Sequence, residues 1–168
     1  DSGAPVPLLP ASHEGYQSAP TWSPDGQWIA FIGRLEGEHL KVFLMRADGS
    51  TRPQAISTGD VDQGVPSWSP DSRKIVFGDV PPGFIQPKGD EALHIYDLVS
   101  HQMTTIPNSQ GRWTARWSPD DKYISAIQIG MPNTLCLFTR RTGKWQLIPE
   151  ATDVNNPNWS QTAHYIYY

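Results

Sequence analysis

The 168-residue chain has a single cysteine, Cys136, so no intrachain disulfide can form and cysteine gives no information about compartment. Cys136 lies in the apolar run Leu135-Cys136-Leu137-Phe138, which marks a buried structural thiol rather than a nucleophile. No apolar run approaches the roughly 20 residues that a bilayer-spanning helix needs, so no membrane insertion is expected. Basic residues are also scarce. There are 13 Lys and Arg against 17 Asp and Glu, the formal net charge is -4, and the longest basic run is Arg140-Arg141. Phosphate binding requires a concentrated basic face, so this segment is not expected to bind nucleic acid. Helical periodicity of 3.6 is missing from every useful window. Also missing are a Gly-x-Ser-x-Gly elbow, a His-Glu-x-x-His motif and a Gly-rich phosphate loop. The five histidines show no metal-ligand spacing. The expectation is therefore no catalytic residue, no metal and no cofactor.

What the chain does have is a repeat. Trp22-Ser23-Pro24-Asp25-Gly26 leads to Ile29. Trp68-Ser69-Pro70-Asp71 leads to Ile75, Trp117-Ser118-Pro119-Asp120 to Ile124, and Trp159-Ser160 to Ile166. The Trp-to-Ile offset is seven each time, while the copies lie 46, 49 and 42 residues apart. Fixed internal spacing with drifting separation marks a repeated unit with variable loops, which must stack on its neighbours to bury its apolar face.

The first unit reads as four short strands at 20–23, 28–32, 40–45 and 54–57. Pro24-Asp25-Gly26 turns the chain between the first two, and Asp48-Gly49 ends the third. The second unit gives 67–69, 74–77, 93–98 and 103–106, and the third gives 115–117, 123–127, 134–138 and 145–148. Four short antiparallel strands every 40 to 50 residues are the signature of a β-propeller blade. The fold class expected is all-β, a propeller fragment of about three and a half blades at roughly 16–57, 62–107, 111–149 and 154–168. An outer strand is expected at 5–10.

The copies Pro20-x-Trp-Ser-Pro-Asp-Gly-x-x-Ile-Ala-Phe and Pro66-x-Trp-Ser-Pro-Asp-Ser-x-x-Ile-Val-Phe resemble the WD40-like Pro-Asp repeat (PD40) of TolB-type propellers. Residues 42–49 and 93–99 look like that family's third strand. Similar repeats occur in periplasmic TolB, in prolyl-oligopeptidase-like and tricorn-like proteases, in oligogalacturonate lyases, and behind the DNA-binding domains of some bacterial regulators. The resemblance implies a non-catalytic protein-interaction module. Its alternatives are an accessory or ligand-binding propeller of a larger enzyme, or a regulator's sensor domain. A periplasmic location follows if the likeness extends that far, and a cytoplasmic one otherwise. The departures are Ala115 for Pro, Ser72 and Asp121 for Gly, and Gln161-Thr162-Ala163 in the fourth turn.

Repetition of Trp22, Trp68, Trp117 and Trp159 argues for packing between blades. Asp25, Asp71 and Asp120 each sit in a separate turn and read as turn formers rather than metal ligands. On the opposite rim, acidic residues gather in the loops between blades and between second and third strands. Such a ring focuses a negative potential suited to a basic peptide segment or a cation, the alternative being an ordinary solvated rim. The partner-binding candidates are Glu14, Glu36, Asp60, Asp62, Phe84, Ile85, Arg112, Trp113 and Asp153. Phe84 and Ile85 ride on a proline-stiffened loop, and Trp113 is the best candidate for an exposed aromatic anchor. The partner expected is a protein or peptide. A homodimer through the terminal strands is expected as well, because both ends leave unfinished sheet.

Overall fold

Each repeat copy forms its own sheet in the computed structural model, which describes residues 16–34, 38–80 and 90–168. The first sheet contains β1 (Tyr16–Trp22), β2 (Trp28–Arg34), β3 (Lys41–Arg46) and β4 (Gln54–Ala55), in that order. The second contains β5 (Asp62–Gln63), β6 (Ser67–Trp68), β7 (Lys74–Val80), β8 (Leu93–Asp97) and β9 (Gln102–Thr105), with β5 and β6 both paired to β7. The third contains β10 (Arg112–Trp117), β11 (Tyr123–Gln128), β12 (Thr134–Thr139) and β13 (Lys144–Thr152). The last is the pair β14 (Asn158–Trp159) and β15 (Ile166–Tyr167). Among the described residues this is an all-β fold of four antiparallel sheets of two to five strands, an unclosed propeller arc. The strand expected at 5–10 lies outside the described residues.

The turn after each Trp is held by the serine that follows it. Ser118 Oγ accepts from the Tyr123 amide at 2.8 Å and donates to Asp120 Oδ1 at 2.8 Å. Its amide donates to the Tyr123 carbonyl at 2.9 Å. Ser23 and Ser69 make the same bonds with Trp28 and Asp25, and with Lys74 and Asp71. The fourth turn lacks Pro-Asp-Gly yet closes in the same way. Tyr165 N donates to Ser160 Oγ at 3.1 Å, and Thr162 Oγ1 stands 3.3 Å from that hydroxyl in the aspartate's place. The residue after the aspartate position is left-handed in every copy: Gly26 (φ 71°), Ser72 (61°), Asp121 (64°) and Ala163 (58°). Only glycine takes that conformation without steric cost.

A second repeated device lies in the first strand. The β1–β2 register slips by one residue between Ser18 and Thr21, and the β10–β11 register slips between Trp113 and Arg116. Ala19 (φ 50°) and Thr114 (φ 51°) are the left-handed residues at these bulges. In the second sheet the same slip separates β5 from β6. That sheet's first strand therefore begins well before the expected 67–69.

Strand alternation sends neighbouring residues to opposite faces. Ile75 and Phe77 face back onto Ala30, Val42 and Leu44 of the first sheet. Val76 and Leu93 face forward onto Ala115, Trp117, Ile124 and Cys136 of the third. Ile127, Leu135, Ala151 and Val154 cover Ile166 of the last. Gly78 allows the close approach of the second and third sheets: a Cβ there would meet Leu93 Cδ2 at 2.9 Å and Trp113 Cα at 3.6 Å.

The tryptophans tie the sheets together. Trp68 Nε1 donates back to the Thr21 carbonyl at 3.2 Å, and Trp159 Nε1 to the Arg116 carbonyl at 3.1 Å. Both acceptors immediately precede the previous sheet's Trp. At the middle seam Ser67, the equivalent residue, accepts the Trp117 amide on its hydroxyl at 3.0 Å. The Trp117 indole turns instead to Asp121 Oδ1 at 2.8 Å, under the Arg140 guanidinium. Trp22 departs from the expected packing and is 57% exposed, because no earlier sheet among the described residues receives it.

Candidate functional site

β5 is two polar residues long, and its place is set by side-chain bonds to the sheet before it. Gln63 Oε1 accepts the Val42 amide at 2.9 Å, and Gln63 N donates to the Leu40 carbonyl at 2.9 Å. Asp62 Oδ1 accepts the Leu40 amide at 2.8 Å and lies 3.0 Å from His39 Nδ1. These bonds carry the rim of the first sheet into the rim of the second.

Beneath this rim Lys41 is buried, and its ammonium donates to the Val61 carbonyl at 2.7 Å. Burial pushes its pKa below the ordinary lysine value, while the carboxylates of Asp62, Asp60 and Asp79 push the other way. Three carboxylates thus act on one ammonium. Asp60 is exposed, as is Glu38 beside His39.

Asp79 Oδ2 accepts the Ala92 amide at 3.2 Å and meets His94 Nε2 at 2.9 Å. The other ring nitrogen of His94 lies 3.1 Å from Thr105 Oγ1. This Asp79–His94–Thr105 chain has the connectivity of a nucleophile, a base and its orienting acid. Its surroundings do not suit that use, since every residue of β9 is exposed and a reacting hydroxyl needs a site that excludes water. The chain reads as a cross-strand link joining the rim end of β7 to the outer strand.

The remaining candidates lie further along the arc. Arg112 begins β10, with Nη1 donating to the Asn108 carbonyl at 2.6 Å and its guanidinium over the Trp145 ring at 4.5 Å. Trp113, expected as an exposed anchor, is half-buried against Ile127, Leu135, Ala151 and Val154. Its indole N–H is buried without a hydrogen-bond partner. The reason is the β10 bulge, which turns the ring toward the next sheet. Asp153 (φ 57°) is exposed beside Val154 of that same cluster. The structure thus gathers Asp60 and Asp62 at one junction, and Trp113 and Asp153 at another. Glu14, Glu36, Phe84 and Ile85 lie outside the described residues. Sequence reasoning missed Lys41 and Gln63; a lysine between Leu40 and Val42, opening an apolar strand, was the available signal.

Among the described residues no group of three or more His, Cys, Asp or Glu is placed to hold a metal ion. Cys136 is fully buried with its thiol pKa pushed up to about 11 by burial, so it is inert as a nucleophile. A concavity of about 180 Å³ lies at the outer seam of the first two sheets, lined by Trp28, Leu44, Ile56, Tyr96, Leu98 and His101, among others. Among the described residues no helix is long and apolar enough to cross a membrane.

The arc has known counterparts. It is similar to TolB from Acinetobacter baumannii, with a TM-score of 0.72 at 21% identity over 90% of this chain and 37% of that one. It is similar to an oligogalacturonate lyase solved in complex with manganese, at 0.67 and 14% over 90% and 44%. The β-propeller domain of the Trilobed protease from Pyrococcus furiosus, which has an open velcro topology, aligns at 0.58 and 16% over 81% and 43%. The fold is a β-propeller arc. At these identities the likeness carries the fold and nothing finer, and the chain spans under half of each of these proteins. No protein-family model matches the sequence, and no curated protein matches it.

Proposed function

We propose that this arc is a non-catalytic, TolB-like interaction module whose acidic rim holds a cationic segment of a protein partner. The observation that carries the reading is the pairing of Asp62-Gln63 with Val80 and Asp79, which sets Asp62 and Asp79 at one junction where two sheets contribute loops, with Asp60 beside them and their charges acting on the buried Lys41. Asp62 is fixed by two donors and Asp79 by two more, so the local field is preorganised. Exposed Glu38 and Asp60 are the groups free to meet a ligand. A charge-focusing rim steers an oppositely charged chain and raises its rate of encounter.

Fluorescence anisotropy with a dye-labelled Lys/Arg-rich peptide tests this, with a Glu/Asp-rich peptide as control. The basic peptide is expected to bind, and the double variant Glu38→Gln/Asp60→Asn to weaken it roughly tenfold, as loss of rim charges should. Rising salt should weaken it further. Equal binding of both peptides, or indifference to the double variant, would remove the reading.

A further inference from the structure

The first and middle seams are built on one register and differ at their outer ends. In the third sheet, Ile124 pairs with Phe138 and Phe138 with Trp145. In the second, Ile75 pairs with Tyr96 and Tyr96 with Met103. Met103 thus takes the position of Trp145. Directly opposed residues share a face of the sheet. Phe138 and Trp145 face back onto the second sheet, and Tyr96 faces back onto the first.

At the middle seam, Trp145 closes the outer end. Its ring lies 5.1 Å from that of Phe138, packs on the cluster that holds Ile106, and donates its N–H to the Pro107 carbonyl at 2.9 Å. At the first seam, Met103 is 47% exposed, and β4 is two residues long against four in β9. The cavity of about 180 Å³ lies here. It is lined by the apolar Leu44, Ile56 and Leu98 and by the rings of Trp28, Tyr96 and His101. The Tyr96 hydroxyl lies 2.9 Å from His101 Nδ1, and the Arg46 guanidinium lies over the Trp28 ring at 4.2 Å, so these rings are held in place. An apolar cavity of roughly 150 Å³ is enough to take up a benzene ring. Thr51, Arg52 and Gln54 complete the lining, and no carboxylate of the described residues belongs to it. Arg52 is exposed and has no ion-pair partner among the described residues.

We propose that this cavity binds a small aromatic carboxylate, with its ring between the first two sheets and its carboxylate on Arg52. The ligand carries a ring because the next seam, built on the same register, takes a ring at this position from its own chain. It carries an acid because the cation of the lining lacks a counter-charge, and a guanidinium presents a fork of donors that matches a carboxylate. The site is separate from the acidic rim and uses neither Glu38 nor Asp60.

Amide chemical-shift titration of the 168-residue chain with indole-3-acetate is the test. Saturable shifts are expected at Leu44, Gln54, Ile56, Tyr96, Leu98 and His101. Neutral indole should bind about tenfold more weakly, and Arg52→Gln should bring indole-3-acetate down to that level, as loss of a charged hydrogen bond does. Met103→Trp should abolish binding, because it supplies from the chain the ring that Trp145 supplies at the middle seam. Arg52 and Met103 are both exposed, and a thermal midpoint no lower than wild type confirms that each variant is folded. The proposal is overturned by shifts that do not saturate or lie elsewhere, by an Arg52→Gln variant that binds as wild type, or by a folded Met103→Trp variant that still binds. Tighter binding of N-acetyltryptophanamide than of indole-3-acetate would assign the cavity to a tryptophan of a protein partner and overturn it as well. Self-association of the chain that Met103→Trp abolishes would assign the cavity to a second copy, with the same consequence.

Discussion

At the residue scale, Asp25, Asp71 and Asp120 were legible as turn formers, but the serine between Trp and Pro was not. Its hydroxyl both donates to the aspartate and accepts a later amide, a double role that composition does not reveal. The same serine explains why the fourth turn survives the loss of Pro-Asp-Gly. Ala163 in that turn is left-handed at φ 58° and makes no compensating side-chain bond. Ala163→Gly should therefore stabilise the chain by about 1 kcal/mol, read as a raised thermal midpoint. The same change at Ser72 should gain less, because Ser72 Oγ accepts the Asp25 amide at 3.0 Å across the first seam.

The turn carboxylates also set an acid limit. The Ser23 hydroxyl and the Gln27 amide hold Asp25 below its ordinary pKa of 3.8. Burial pushes Asp71 and Asp120 up, yet hydrogen bonds from Ser69 and Ser118 and from neighbouring backbone amides outweigh it, and both end lowered. A folded-state pKa below the unfolded one gives stability that is present above 3.8 and lost as pH falls through the folded values. Chemical denaturation between neutral pH and pH values well below 4 should show this loss. The Asp25→Asn/Asp71→Asn/Asp120→Asn variant should lose less over the same window while starting less stable.

At the element scale, the strands with apolar alternation were legible. The second and third strands of all three full units fall where the spacing put them. β5 was not legible. Asp62-Gln63 has no alternation, and its position depends on bonds from Asp62 and Gln63 to Leu40 and Val42 about twenty residues away. The bulges were likewise hidden, since Ala19 and Thr114 are not residue types that announce a left-handed backbone. Gly78 lies between Leu93 of its own sheet and Trp113 of the next. Gly78→Ala should destabilise by about 1–3 kcal/mol, because the fully buried Leu93 must move. A lowered urea midpoint at unchanged slope would show it; an unchanged midpoint would mean the seam has slack.

At the scale of the molecule, the repeat made the arc legible because a spacing kept four times can only stack. The acidic rim was legible as charge and not as geometry. Sequence placed Asp60 and Asp62 in one loop, but the strand pairing Gln63–Asp79 and the burial of Lys41 are what bring Asp79 to them. Trp113 failed as an exposed anchor because a bulge, invisible in its neighbours, turned it inward. The central claim is that this rim, and no other surface, receives a cationic partner. Amide chemical-shift mapping with a Lys/Arg-rich peptide tests it most directly. The predicted shifts cluster at Glu38 to Leu40, Asp60 to Gly64, Asp79, and Ala92 to His94, and spare the turns at Asp25, Asp71 and Asp120. Shifts centred on those turns, or scattered evenly over the arc, would contradict it.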